Sequence, residues 1–345
     1  MLLLSGPNMC GNEWTYVKEC LDTGWVSSVG SYVDRFEKMS AEFAGTKYAV
    51  ATSSGTTALH ICLIMLGVKQ DDYVIAPNIT FVATCNSICY TGARPILIDT
   101  DENSWQMDLD LLQEFLEKET IQINGACHYK KDGKRIPVLM PVHVLGNMCD
   151  MDRLILLAKQ HNLVVVEDST EALGSYYKGK HAGSFGLMGT FSYNGNKIIT
   201  TGGGGMIVTN DETLARKAKH LTTQAKCDPF EYKHDEIGYN YRLVNVAAAM
   251  GVAQMELLPS FIQRKKEIIA YYKEQLEGVG DISFQQVDET VNPNWWMPTI
   301  KTARQREVLK ILNDHQMQSR PFWVPMNQLP MFVNDVYYHH NDRSD

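Results

Sequence analysis

The sequence predicts an α/β protein: a large domain with a mainly parallel central sheet, followed by a smaller C-terminal α+β domain. Three observations predict it. Short strands alternate with helical patterns along most of the chain, and those strands are apolar at successive positions, as strands covered on both faces are. Beyond Pro259, two strands and a helix read as a separate smaller unit. With 345 residues the chain is long enough for two domains and a large buried core.

The N-terminal segment, 1–23, holds a short amphipathic stretch before Gly24. Val33 to Phe43 reads as a helix that Gly45 ends, and Tyr48 to Ala51 as the first strand. Thr52-Ser53-Ser54-Gly55-Thr56-Thr57-Ala58 then leads into a helix whose positions Ala58, Ile61, Cys62, Met65 and Leu66 share one face. Small hydroxyl residues and a glycine at that point read either as a plain Ser/Thr N-cap or as an anion site on the free N–H groups of a helix start.

Next come a strand at Tyr73 to Ala76, a helix from Thr80 to Tyr90, a strand at Pro95 to Asp99 and a helix from Asp108 to Glu119. His128 to Arg135 interrupts the pattern as a solvated loop with a turn at Asp132-Gly133. A strand from Pro137 to Val144, a helix from Met151 to His161 and a strand from Leu163 to Asp168 resume it. Ligands of such sheets sit beyond the carboxyl ends of the strands, which lets Asp168 and the Gly55 turn face one pocket. An Asp there serves equally as a turn former or a helix cap.

A short apolar run then delivers Ser192 and, five residues later, Lys197, ahead of Gly202 to Gly205 and a strand at Met206 to Thr209. A lysine crowded by small and apolar residues loses hydration; its amine pKa falls and it becomes a nucleophile towards an aldehyde. Taken alone, the stretch reads more plainly as a surface lysine in a glycine-rich turn. Two motif-like matches fail on context. Gly174 to His181 nearly spells a P-loop but has His181 where a magnesium-holding Ser or Thr belongs, and Gly202 to Gly205 runs into a strand rather than a helix.

Asp211 to Thr223 is helical, Gly238 to Leu243 follows, and a long helical pattern from Asn245 is expected to break at Pro259 and resume to Leu276, because proline suits the first turn of a new helix. The division is therefore a large domain over 24–258 and a small one over 259–345, with strands near Ile282 to Phe284 and Trp295 to Ile300 and a helix from Arg304 to His315.

A formal net charge of −8 argues against a nucleic-acid or anionic-membrane surface, while a local basic pocket for a phosphorylated ligand stays open. The start Met1-Leu2-Leu3-Leu4 has no basic region before it, and no apolar run reaches bilayer length, so the expected location is the cytoplasm. The eight cysteines form no CxxC pair, which fits free thiols in a reducing compartment and no structural metal.

Four features converge: a crowded lysine, an acid at a strand end, a small-residue anion site, and the aromatic Phe81. Pyridoxal phosphate needs each of them, since its aldehyde takes an amine, its ring nitrogen an acid, its phosphate N–H and hydroxyl donors, and its ring face a flat apolar partner. The motifs are Ser54-Gly55-Thr56 with Ala58-Leu59, Thr80-Phe81 with Ala83-Thr84, Pro141-Val142-His143 with Gly146, Glu167-Asp168, Phe191-Ser192 to Lys197 with Thr200-Thr201-Gly202, and Gly238 to Leu243. With these the sequence resembles the sugar aminotransferases of the DegT/DnrJ/EryC1/StrS family, which have the aspartate aminotransferase fold (fold type I). Within it the chain looks most like the LegC type and the perosamine synthases, which aminate nucleotide-linked 4-keto-6-deoxy sugars for cell-surface glycans.

The resemblance implies that Lys197 forms the Schiff base with the cofactor, Asp168 binds its ring nitrogen and Phe81 stacks on its ring. Gly55, Thr56 and Ser192 would hold the phosphate, Glu171 would stand beside the ring hydroxyl, and Asn240 would reach the cofactor of a second subunit, making a homodimer with shared sites the working unit. Trp296 and Arg320 are expected near the sugar. L-glutamate would give the amino group and leave as 2-oxoglutarate, and the acceptor would be UDP- or GDP-linked. Gly203 replaces a Glu common in the family, and the family's chains run further than Asp345, so the small domain is expected to be truncated. Two rivals share the fold: a sugar dehydratase, whose members carry His at the lysine position, and a non-catalytic regulatory protein.

Overall fold

Eight strands share one sheet in the computed structural model, which describes residues 1–228 and 230–344. They are β1 (Tyr48–Thr52), β2 (Tyr73–Pro77), β3 (Arg94–Ile98), β4 (Val138–Leu139), β5 (Val164–Asp168), β6 (Met188–Ser192), β7 (Gly205–Thr209) and β8 (Val336–Tyr338). Their order across the sheet is β1-β7-β6-β5-β4-β2-β3-β8. β7 runs antiparallel to both neighbours, and every other pair is parallel.

Helices cover both faces: α1 (Glu13–Thr23), α2 (Ser31–Ala44), α3 (Gly55–Met65), α4 (Ala83–Cys89), α5 (Leu109–Glu119), α6 (Met151–Gln160), α7 (Glu212–Thr222), α8 (Asn245–Leu276) and α9 (Gln305–Asp314). Their starts follow side-chain chemistry: Asp108, Asp150 and Asp211 each accept backbone N–H groups of the first turn. The sheet alternates as a pleated strand must. Val74, Ala76, Val166 and Ile207 pack with α3 and α7, whereas Ile75 and Val165 pack with α5 and α6, and Met206 and Val208 with α2 and α8. Two covered faces explain why the strands read as unbroken apolar runs.

The structure departs from the sequence expectation in five places, the first being that only Val138–Leu139 of the strand expected from Pro137 to Val144 forms, with a 3-10 helix at Val144–Gly146. α8 runs unbroken through Pro259, because its flanks pack against α1 and α2 and tertiary burial outweighs one missing N–H. Val336–Tyr338, in the stretch expected to form the small domain, joins the large sheet beside β3. Thr120–Ile123 and Ala126–Tyr129 pair as a hairpin where the expected interruption begins, turning at Asn124-Gly125 with both residues at positive φ. Trp295 to Met297 is irregular, and only Ile300–Lys301 of the expected strand forms. The rejected P-loop is a hairpin, Tyr176–Tyr177 against Lys180–His181. Among the described residues no helix is long and apolar enough to cross a membrane.

Candidate active site

Register sets the site. Gly205, the first residue of β7, pairs with Thr52 at the end of β1 on one side and with Ser192 at the end of β6 on the other. A Cβ at Gly205 would lie 2.3 Å from the Ser54 carbonyl oxygen, so the chain following β1 can cross here only over a glycine. Ser54 caps α3 by accepting the Thr57 N–H at 3.1 Å, and Thr57 Oγ1 accepts the Ser54 N–H at 3.0 Å. The N–H groups of Gly55 and Thr56 belong to the helix start, where no intrahelical acceptor exists. The cap and the anion site read from the sequence are thus compatible. Gly55 is pressed against β6: a Cβ there would lie 2.9 Å from Ser192 Cβ and 3.0 Å from Thr170 Cγ2.

Lys197 lies in the loop after β6. Its Nζ is 3.9 Å from Glu171 Oε1 and 4.1 Å from the centroid of the Trp296 ring. Thr170, Glu171, Ser192, Lys197, Asn294 and Trp296 line one small cavity. Burial lowers the amine pKa of Lys197 against the opposing pull of Glu171 and Asp168. Burial likewise pushes Glu171 up to about 7, although the Lys197 charge and the Leu145 N–H, which donates to Oε2 at 2.8 Å, act against it, while Asp168 adds to the rise. Burial thus moves the two pKa values toward each other, Lys197 down from the ordinary amine value and Glu171 up from the ordinary carboxyl value.

Asp168 ends β5 and is buried. Thr84 donates its hydroxyl to Oδ2 at 2.7 Å, and the Thr170 N–H donates to Oδ1 at 3.2 Å. Glu167, its neighbour in sequence, points the other way into the protein. There it accepts N–H groups from Gly183, Phe185 and Gly186 and lies 2.9 Å from His143 Nε2. Burial alone would raise this carboxyl, but His143 and the loop N–H groups outweigh it and hold it below the usual carboxylate range. The adjacent acids have separate jobs: Glu167 ties the 183–186 loop down, and Asp168 faces Thr84.

Several expected residues meet. Lys197, Glu171, Ser192 and Trp296 line the cavity, Gly55 packs on Ser192, and Asp168 adds its charge to the field at Lys197 and Glu171. Phe81 is 53% exposed, two residues ahead of α4, with its ring edge-on to Trp323 at 5.9 Å. Thr56 stands in the first turn of α3. Asn240 is exposed, in a bridge with Thr223. Arg320 is exposed and turned to Asn313 and the Ser319 carbonyl, and among the described residues no contact links it to the cavity. Sequence reasoning missed the roles of Thr84 and Asn294. Thr84 sits four residues after Thr80, one helical turn on, and the two hydroxyls lie 2.7 Å apart, a spacing that could have flagged it. Nothing local marks Asn294, whose amide donates to the carbonyls of Glu171 and Leu173.

The profile of the DegT/DnrJ/EryC1/StrS aminotransferase family matches residues 7–344. A GDP-perosamine synthase of Escherichia coli O157:H7 is 41% identical over 336 residues, covering 96% of this chain and 87% of its own. EpsN of Bacillus subtilis strain 168, whose name carries a provisional assignment as a pyridoxal phosphate-dependent aminotransferase, is 36% identical over 99% of this chain and 86% of its own. Among solved structures, Helicobacter pylori PseC, an aminotransferase involved in the biosynthesis of pseudaminic acid, superposes with a TM-score of 0.87 at 25% identity, over 100% of this chain and 91% of that one.

Proposed function

Because this chain belongs to the DegT/DnrJ/EryC1/StrS aminotransferase family, we propose that it moves an amino group from L-glutamate to C4 of a nucleotide-linked 4-keto-6-deoxy sugar, with pyridoxal phosphate as cofactor. The observation that carries the reading is Lys197, a largely buried amine with a depressed pKa facing Glu171 in a cavity that Ser192 also lines. The name of the 41%-identical relative favours a GDP-linked sugar over a UDP-linked one.

The residues fit the cofactor. Gly55 and Thr56 offer N–H donors beside the Ser192 hydroxyl for a phosphate, with a close approach at Gly55 that leaves no room for a side chain. Asp168, oriented by Thr84 and Thr170, offers an acid for the ring nitrogen, and Glu171 stands beside the amine for the ring hydroxyl. Phe81 stands exposed for the ring face. When bound, the cofactor supplies a sink for the electrons of a broken C–H bond. Lys197 would hold it by the amine and, when free, would carry the proton that leaves the donor carbon. Glu171, with its carboxyl pushed up to about 7 by burial, would gain and lose a proton next to that amine near neutrality.

The working unit we propose is a homodimer in the cytoplasm. Asn240 would reach the second subunit's phosphate; its support is an exposed side chain on a segment that also exposes Ile237. All eight cysteines are unpaired, in keeping with a reducing compartment.

An absorption spectrum with added cofactor, followed by glutamate and then a panel of UDP- and GDP-linked 4-keto-6-deoxy sugars, tests the reading. A yellow protein bleached by glutamate that aminates a panel member is expected, and Lys197→Ala is expected to lose both half-reactions while still folding. Wild-type turnover by Lys197→Ala would sink it.

A further inference from the structure

Trp296 is fixed against Lys197 from three directions. Its Nε1–H donates to the carbonyl of Asn196, one residue before the lysine, at 2.7 Å. Its backbone N–H donates to Asn294 Oδ1 at 2.9 Å, and its carbonyl accepts from Lys265 Nζ on α8 at 2.9 Å. Asn294 is itself held on the carbonyls of Glu171 and Leu173 at 2.8 and 2.9 Å. The indole is thus tied both to the loop that carries the amine and to the segment that carries its acid. It is 4% exposed, so water does not compete for its face.

The groups facing the amine are few. Glu171 comes from the segment after β5 and Asp168 from the end of β5, and both act on the amine electrostatically. From α8, Lys265 is taken up by the Trp296 carbonyl. Neither acid makes a hydrogen bond to Nζ: the closer carboxylate oxygen is 3.9 Å away, beyond hydrogen-bond length. Besides the Glu171 carboxyl at ion-pair distance, the amine's partner among the described residues is therefore the ring face. A π face attracts an ammonium and not a neutral amine, so this contact depends on protonation state.

We propose that Trp296 is the seat of the free Lys197 amine, its indole face holding the lysine in the protonated, unlinked state from which it gives its proton to carbon. This makes Trp296 a positioning residue for Lys197, where the sequence led us to expect a sugar contact, and it rests on the reading of Lys197 as the reacting amine. Loss of the proton to carbon would leave a neutral amine that the indole no longer attracts, and taking a proton from carbon would seat it again.

Competitive labelling of the cofactor-free full chain with acetic anhydride, over about pH 6 to 11 and read by mass spectrometry at Lys197 against exposed lysines, tests the seat. Trp296→Leu, which keeps an apolar wall but removes the π face, is expected to lower the Lys197 titration midpoint by about 0.5 to 1.5 pH units. Trp296→Phe, with a smaller ring, is expected to lower it by less. An unchanged or raised midpoint in a folded Leu variant overturns the proposal. If the Leu variant fails to fold, the Phe variant decides alone, a lowered midpoint supporting the seat and an unchanged one overturning it. A wild-type protein that binds cofactor yet ignores glutamate would instead sink the proposed function, an outcome this labelling does not depend on.

Discussion

Thr84 donates its hydroxyl to Asp168 Oδ2 at 2.7 Å, with the Thr80 hydroxyl a further 2.7 Å from that of Thr84. The bond crosses from α4 to the end of β5, so the carboxylate at the site is oriented by the element that follows Phe81. Thr84→Val keeps the shape and removes the donor. A hydrogen bond to a charged group is worth about 1.5–3 kcal/mol, so cofactor affinity is expected to fall about 10- to 100-fold, with Thr84→Ser restoring most of it. Absorbance titration measures this, and unchanged affinity in the Val variant would show that Thr84 does not orient Asp168.

Glu171 has its carboxyl pushed up to about 7 by burial. In the unfolded chain it titrates as an ordinary Glu, so between that value and about 7 the folded state binds the extra proton. Stability from this group is fully present at low pH and is lost as pH rises to about 7. Glu171→Gln, which keeps an acceptor for the Leu145 N–H, is expected to flatten that slope, by on the order of 3 kcal/mol between the two ends. Urea unfolding of both proteins at the two ends of this window checks it; parallel slopes would refute it.

Glu167 behaves oppositely. Burial is outweighed by His143 and the N–H groups of Gly183 and Gly186, which hold its pKa down. Its contribution is present above the ordinary Glu value and disappears as pH falls through the depressed folded value. Glu167→Gln turns an amide donor toward other donors, and is expected to cost about 3–5 kcal/mol and to move acid unfolding to higher pH. Circular dichroism across an acid titration reads both, and a variant as stable as wild type would contradict the assignment.

Gly55→Ala places a Cβ 2.9 Å from Ser192 Cβ and 3.0 Å from Thr170 Cγ2. Overpacking of this kind costs about 1–3 kcal/mol, so a lowered thermal midpoint is expected, together with weaker phosphate binding because the crowded atoms sit at the proposed phosphate site. A scan with and without pyridoxal phosphate separates the two effects. Equal stabilisation of wild type and variant by the cofactor would move the phosphate site elsewhere.

The sequence alone determined what depends on neighbours in the chain. Apolar strands, capping aspartates at 108, 150 and 211, and the residue types of the Ser54-Gly55-Thr56 and Ser192-to-Lys197 stretches all follow from local chemistry, and the fold and family followed from them. Tertiary structure decided the rest. Pro259 stays within a helix because packing on α1 and α2 overrides a local signal, and Val336–Tyr338 becomes a strand only because β3 offers an unpaired edge. The same holds in the site. Glu171 and Trp296 reach Lys197 from 26 and 99 residues away in the chain, Arg320 turns aside to Asn313, and Thr84 finds Asp168 across the sheet edge. Which buried polar group meets which is set by the packing of distant segments, and a buried charge must find its partner there because no water is left to serve instead.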